Sequence, residues 1–137
     1  MTTILLAYVP SATSEAALAY AIAEARRREA RLLVLASERG ADPRKARTIA
    51  DPRPLEQRLA ETDLEVELRT VAHRNDPADD ILDAIEEESV ELVVIGIRRR
   101  TPIGKILLGS TSQRVAIESP VPVVLVKPEG FEAPSRY

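Results

Sequence analysis

The chain has 137 residues, 45% of them apolar, no cysteine and a formal net charge of −3. That length and apolar share suit one domain with a core of its own, and the missing cysteines exclude a disulfide framework, a thiolate nucleophile and a cysteine metal site. Net acidity, with Tyr8, Tyr20, Phe131 and Tyr137 as the whole aromatic complement, argues against a nucleic-acid partner. No apolar run is long enough to span a bilayer, and the N-terminus lacks the layout of a signal peptide, so the expected setting is the cytoplasm, with no membrane partner.

Thr3 to Tyr8 is a short apolar run and reads as a buried strand. Val9 to Thr13 makes a turn, and Ser14 is expected to open a helix. Leu18, Ala21, Ile22 and Ala25 recur with helical period and form its buried stripe. Arg26, Arg27 and Arg28 fall in the last turn, where cations suit the helix dipole; a solvated helix end accounts for them. Leu32 to Ser37 is a second continuous apolar strand. Continuous rather than alternating hydrophobicity implies burial on both faces, as in a parallel sheet covered by helices.

Glu38 to Pro54 is polar, contains three prolines and reads as a long exposed loop, with a short helix following over Leu55 to Ala60. Leu64 to Val71 alternates apolar and charged residues, the pattern of a half-exposed strand at a sheet edge. Asp76 caps the next helix, with Pro77 in its first turn. Ala78, Ile81, Leu82 and Ile85 form the buried stripe of that helix, and Asp79, Asp80, Asp83, Glu86, Glu87 and Glu88 an acidic outer face. Such a face is ordinarily solvated, and no metal site is assigned to it. The single histidine, His73, reads as a loop residue.

Glu91 to Gly96 is a fourth strand and ends at a glycine. Between Gly96 and Gly109 the chain carries Arg98, Arg99, Arg100 and Lys105 and no acid. A helix then opens at Gly109-Ser110-Thr111-Ser112 and runs to Glu118, where Ser119-Pro120 stops it. A strand, a basic glycine-containing loop and a hydroxyl-rich helix start are the layout of a phosphate site. The first N–H groups of a helix lack intrahelical partners, and its dipole favours an anion there. Lys105 is no P-loop lysine, since Gly104-Lys105-Ile106 lacks the upstream glycine and the following hydroxyl. Pro122 to Val126 is a fifth strand, and residues 129–137 are expected to form a loosely held tail outside a domain of residues 1–128.

Strands and helices therefore alternate through five strands, which predicts an α/β fold: a single doubly wound parallel sheet with helices on both faces. Ligands of such sheets bind beyond the carboxyl ends of the strands where strand order reverses. That brings the loop after the first strand beside the loop after the fourth.

The chain resembles the universal stress protein (UspA-like) family over almost its whole length. The resemblance is carried by Ile4-Leu5-Leu6-Ala7, Asn75-Asp76-Pro77 and Leu92-Val93-Val94-Ile95-Gly96. It is strongest at Leu107-Leu108-Gly109-Ser110-Thr111-Ser112-Gln113-Arg114-Val115, followed by Pro122-Val123-Val124-Leu125-Val126. It implies strand order 3-2-1-4-5 and a homodimer formed through the fifth strand, Val123, Val124, Leu125 and Val126. One branch of the family binds ATP with a Gly-x-x-Gly-nine-Gly-Ser/Thr loop. Gly96, Gly109 and Ser110 match that pattern, whereas Arg99 stands at its second glycine, and Val9 stands where the branch has an aspartate that contacts the nucleotide.

Two readings of the site stand open. In one, Arg98, Arg99 and the neighbouring cations take over the phosphate contacts, since guanidinium groups suit phosphate oxygens. ATP, with magnesium, or another small phosphorylated ligand then binds through Gly96, Arg98, Arg99, Gly109, Ser110, Thr111 and Ser112. Ala7, Tyr8, Val9 and Ala36 line its base and sugar through backbone and shape. In the other, the protein is a nucleotide-free scaffold of the same fold, acting through its dimer and basic loop, and Gly109-Ser110 persists only as a helix cap. Neither reading makes it an enzyme, because no His or Lys is positioned by the sequence to activate Ser11, Ser14, Ser110 or Ser112.

Overall fold

In the computed structural model the described residues are 1–8, 12–37, 54–71, 76–97 and 108–128. Their elements alternate in chain order: β1 (Thr3–Tyr8), α1 (Ala12–Arg28), β2 (Arg31–Ser37), α2 (Leu55–Ala60), β3 (Val66–Val71), α3 (Pro77–Glu87), β4 (Val90–Gly96), α4 (Ser110–Glu118) and β5 (Val123–Val126). All neighbouring strands pair in parallel, in the order β3-β2-β1-β4-β5, as anticipated.

β1 is the centre of the sheet, and its register explains why its sequence is apolar throughout. Leu5 lies between Leu33 of β2 and Val93 of β4, and Leu6 between Val34 and Val94. Successive side chains go to opposite faces of a strand, and here each face is covered. On one face Ile4, Leu6 and Tyr8 pack with Ala17, Leu18, Ala21 and Ala25 of α1 and Leu59 of α2. On the other, Leu5, Leu33 and Val93 pack with Ala78, Ile81, Ala84 and Ile85 of α3 and Val115 of α4. The alanines of α1 let it lie close to the strands beneath it.

Helix ends follow local chemistry. The Asp76 carboxylate accepts the Ala78 N–H at 2.9 Å, which caps α3, and Pro77 occupies the first turn. α1 starts at Ala12 rather than Ser14, and Ser14 is buried within its first turn. At the far end of α1, Glu29 takes a positive φ of 53° while Ala30 N–H reaches back to the Ala25 carbonyl at 2.9 Å. That is the left-handed stop that glycine usually makes. Ser89 turns the chain the same way after α3, with φ 52°.

β3 begins at Val66, two residues later than its alternation suggests, although Leu64 still packs against the α1-side core. The three arginines at the end of α1 are exposed but not merely solvated. Arg26 meets Asp63, Arg27 and Arg28 meet Glu24, and Arg28 also meets Glu91. The Arg27 and Arg28 guanidiniums hold the Glu24 carboxyl below its ordinary range. The acidic helix α3 is likewise engaged at its end: Glu88 accepts from Arg69 at 2.8 Å and from Arg31 at 2.9 Å, which lowers its carboxyl too. Among the described residues no group of three or more His, Asp or Glu side chains could hold a metal ion. Nor, among them, is any helix long and apolar enough to cross a membrane. The Glu38–Pro54 loop up to residue 53, His73 and the tail from residue 129 lie outside the described residues.

Candidate functional site

Chain direction creates the crevice. β1 and β4 are hydrogen-bonded neighbours, with Ala7 opposite Ile95. α1 leaves β1 for one face of the sheet, and α4 follows β4 onto the other. The chain thus leaves these neighbouring strands for opposite faces, the topological switch point at which ligands of such sheets bind. The fourth strand ends at Gly96, in register with Val126, and the next amide, Ile97 N–H, still bonds the Val126 carbonyl at 2.8 Å.

The start of α4 forms one wall. Gly109 is its N-cap and accepts the Gln113 N–H at 2.9 Å through its carbonyl, but no side chain caps the helix among the described residues. Gly109 has φ −62° and ψ 158°, extended backbone that any residue can adopt. The backbone angles of the turn therefore do not by themselves require a glycine there. What glycine supplies is the absence of a Cβ, and so close access to the backbone. The first turn of α4 contains no acid, whereas α3 has Asp79 and Asp80 in its own. The positive end of the α4 dipole thus stays unopposed within its own helix. Of the three hydroxyls that follow, Ser110 is exposed, Thr111 half-buried and Ser112 only 6% exposed.

The opposite wall is the end of β1. Ala7 is half-buried on the α3–α4 face, and Tyr8 is buried on the α1 face with Ala36 opposite it on β2. The Tyr8 side chain is committed to its own partners: its hydroxyl donates to Glu15 Oε1 at 2.6 Å. Arg58 of α2 donates to the same oxygen at 2.9 Å and pairs with the other Glu15 oxygen as well. Burial, reinforced by the Glu15 carboxylate, pushes the Tyr8 phenol above its ordinary range. Only the Tyr8 backbone is left to border the crevice.

Gly96, Gly109, Ser110, Thr111, Ala7 and Tyr8 thus gather at one end of the sheet; Ala36 lies one strand further out, and Ser112 faces packed structure. Val9, Arg98 and Arg99 lie outside the described residues. Two groups near the crevice were not anticipated. Glu15 and Arg58 brace the end of β1, and Arg114 joins the starts of α3 and α4. Helix position hinted at Glu15, an acid in a first turn, but nothing local in the sequence pairs it with a residue so far along the chain.

Comparison with known proteins places the fold. The profile of the Universal stress protein family matches residues 1–127. A universal stress protein of Mycolicibacterium smegmatis is 38% identical over 131 residues, covering 93% of this chain and 99% of the relative. The solved structure of a universal stress protein from Archaeoglobus fulgidus superposes with a TM-score of 0.72 at 28% identity, covering 93% of this chain and 99% of that one. A structure of the Archaeoglobus fulgidus universal stress protein in complex with dAMP superposes with a TM-score of 0.67 at 25% identity, covering 93% of this chain and 98% of that one. With the profile spanning the whole sheet and a full-length relative this similar, the chain belongs to the universal stress protein family.

Proposed function

We propose that this chain is a nucleotide-binding regulatory module, one that takes ATP with magnesium or a related phosphorylated nucleotide in the crevice between β1 and β4. The observation that carries the reading is the start of α4: an N-cap without a Cβ, a first turn without acid, and N–H groups with no side-chain cap among the described residues. Phosphate oxygens accept from the N–H groups of Ser110, Thr111 and Ser112 and from the Ser110 and Thr111 hydroxyls. The base and sugar lie along the backbone of Ala7 and Tyr8. The dAMP complex of the similar Archaeoglobus fulgidus protein supports a nucleotide as the ligand class. The role is binding rather than catalysis, and its setting the cytoplasm.

Residues 1–128 form the binding unit, and a second copy docks along β5. The sheet edges support this choice. β3 presents Glu67 and Arg69, charges that discourage edge pairing, while Val123–Val126 of β5 is uncharged and half-exposed throughout.

The test of nucleotide binding starts from protein purified without added nucleotide. It is denatured and the supernatant assayed for adenine nucleotides; refolded or nucleotide-free protein is then titrated calorimetrically with ATP and magnesium. Saturable binding supports the reading. No released nucleotide and no binding up to millimolar ATP would exclude it and leave the dimeric scaffold.

A further inference from the structure

Arg114 lies in the segment that most resembles the family, yet the phosphate contacts proposed above make no use of it. Its guanidinium is shared among three carboxylates. Nη2 donates to Asp79 Oδ1 at 2.6 Å, Nη1 to Asp76 Oδ2 at 3.2 Å and Nε to Glu118 Oε2 at 2.7 Å. Asp79 foremost, and Glu118 with it, hold the guanidinium even more firmly protonated than usual. Asp76 is used at both oxygens: Oδ1 caps α3 through the Ala78 N–H, and Oδ2 takes Arg114. One carboxylate therefore joins the first turn of α3 to the second turn of α4.

The arrangement has two consequences for the end of the molecule where α4 begins. The two helix starts are tied by a planar fork with fixed geometry, a link that a flexible point charge cannot reproduce. Without Arg114 the negative charges of Asp76, still capping α3, and of Asp79 would lack their guanidinium counter-charge on the α4 side, where a phosphate would have to approach. Arg114 answers their charge without occupying the helix N-terminus itself.

We infer that Arg114 is a positioning residue for nucleotide binding: it fixes the start of α4 against the start of α3 and cancels the carboxylates beside the phosphate site. This inference rests on the nucleotide-binding reading, and its test separates the two. Full-length protein and its Arg114→Gln variant are compared by amide hydrogen exchange without ligand and by calorimetric titration with ATP and magnesium. The probes are the Gln113 amide, bonded to the Gly109 carbonyl, and the Asp79 amide, bonded to the Asp76 carbonyl. Both should exchange about fivefold faster in the variant, with the Leu33 and Val93 amides unchanged, and ATP should bind about fivefold more weakly.

Adding Asp79→Asn to Arg114→Gln should recover affinity, because it removes the uncompensated charge, but should not restore protection at Gln113. Arg114→Lys keeps the charge on a similar stem and serves where Arg114→Gln fails to fold. It should hold ATP affinity closer to the parent while Gln113 still exchanges faster. Unchanged exchange in both variants overturns the tie between the helices. Faster exchange with unchanged affinity, in a parent that binds ATP, reduces Arg114 to a structural brace and overturns its positioning role. If the parent binds no ATP, the functional reading has failed, and faster exchange at Gln113 and Asp79 upholds the tie while its absence overturns it.

Discussion

Replacing Tyr8 by phenylalanine removes one oxygen from the Tyr8–Glu15–Arg58 group at the end of β1. Tyr8 is 4% exposed, and its ring packs in the α1-side core, which phenylalanine can still fill. The loss is the hydrogen bond to Glu15 Oε1 at 2.6 Å. Hydrogen bonds to charged groups contribute about 1.5–3 kcal/mol. Glu15 keeps both contacts to Arg58, so no carboxylate oxygen is orphaned, and the cost should fall at the low end, about 1.5 kcal/mol near neutral pH. The cost should also depend on pH. The folded-state phenol titrates above its unfolded value of about 10, so its contribution is complete below that pH and declines as pH rises through it. The gap between parent and variant should shrink by about 1.4 kcal/mol per unit above pH 10, closing near pH 11. Urea denaturation of both proteins followed by circular dichroism, at pH 8 and at intervals to pH 11, measures it. A variant as stable as the parent at pH 8, or a gap that does not narrow above pH 10, would refute the reasoning.

Other expectations follow from the same structure. Gly109→Val adds a Cβ and two methyls where the backbone should meet phosphate. It should weaken ATP binding about tenfold in calorimetry, with a stability cost of about 1 kcal/mol or less because the backbone angles suit any residue. Unchanged affinity would mean that nothing approaches that backbone. Ser89→Gly relieves a left-handed residue and should raise stability by about 1 kcal/mol in thermal unfolding; a lower melting temperature would contradict the geometry. Sedimentation velocity should show a dimer that Val124→Lys converts to folded monomer. A monomeric parent, or a folded variant that stays dimeric, removes β5 as the interface.

Much of this molecule is legible in its sequence because the relevant physics is local. Continuous apolar runs such as Leu32 to Ala36 can only be buried on both sides, and alternation with helices then dictates a parallel sheet. The Asp76-Pro77 cap and the Ser119-Pro120 stop are set by adjacent residues, and the start of α3 and the end of α4 fall where they indicate. Local rules fail where tertiary packing decides. Ser14 looks like a helix cap, but the helix extends back to Ala12 and draws Ser14 inside. The Glu15–Arg58 pair spans 43 positions and the Arg114–Asp79 pair 35, so only the folded sheet brings them together. For the site, the sequence identifies the helix start at Gly109 through Ser112 but not which hydroxyls remain open, since Ser112 is turned into the packed side. Nor can it show that Gly109 sits in ordinary backbone, the observation that turns attention from capping to close approach.

The central claim is that phosphate binds at the start of α4. It is tested most directly by following backbone amide resonances of the isotope-labelled protein while ATP and magnesium are added. The amides of Ser110, Thr111 and Ser112 should shift progressively and saturate together, with smaller shifts at Ala7 and Tyr8 and none on the outer face of α3. No shift at Ser110 through Ser112 up to millimolar ATP, or saturating shifts confined to another part of the surface, would contradict the account.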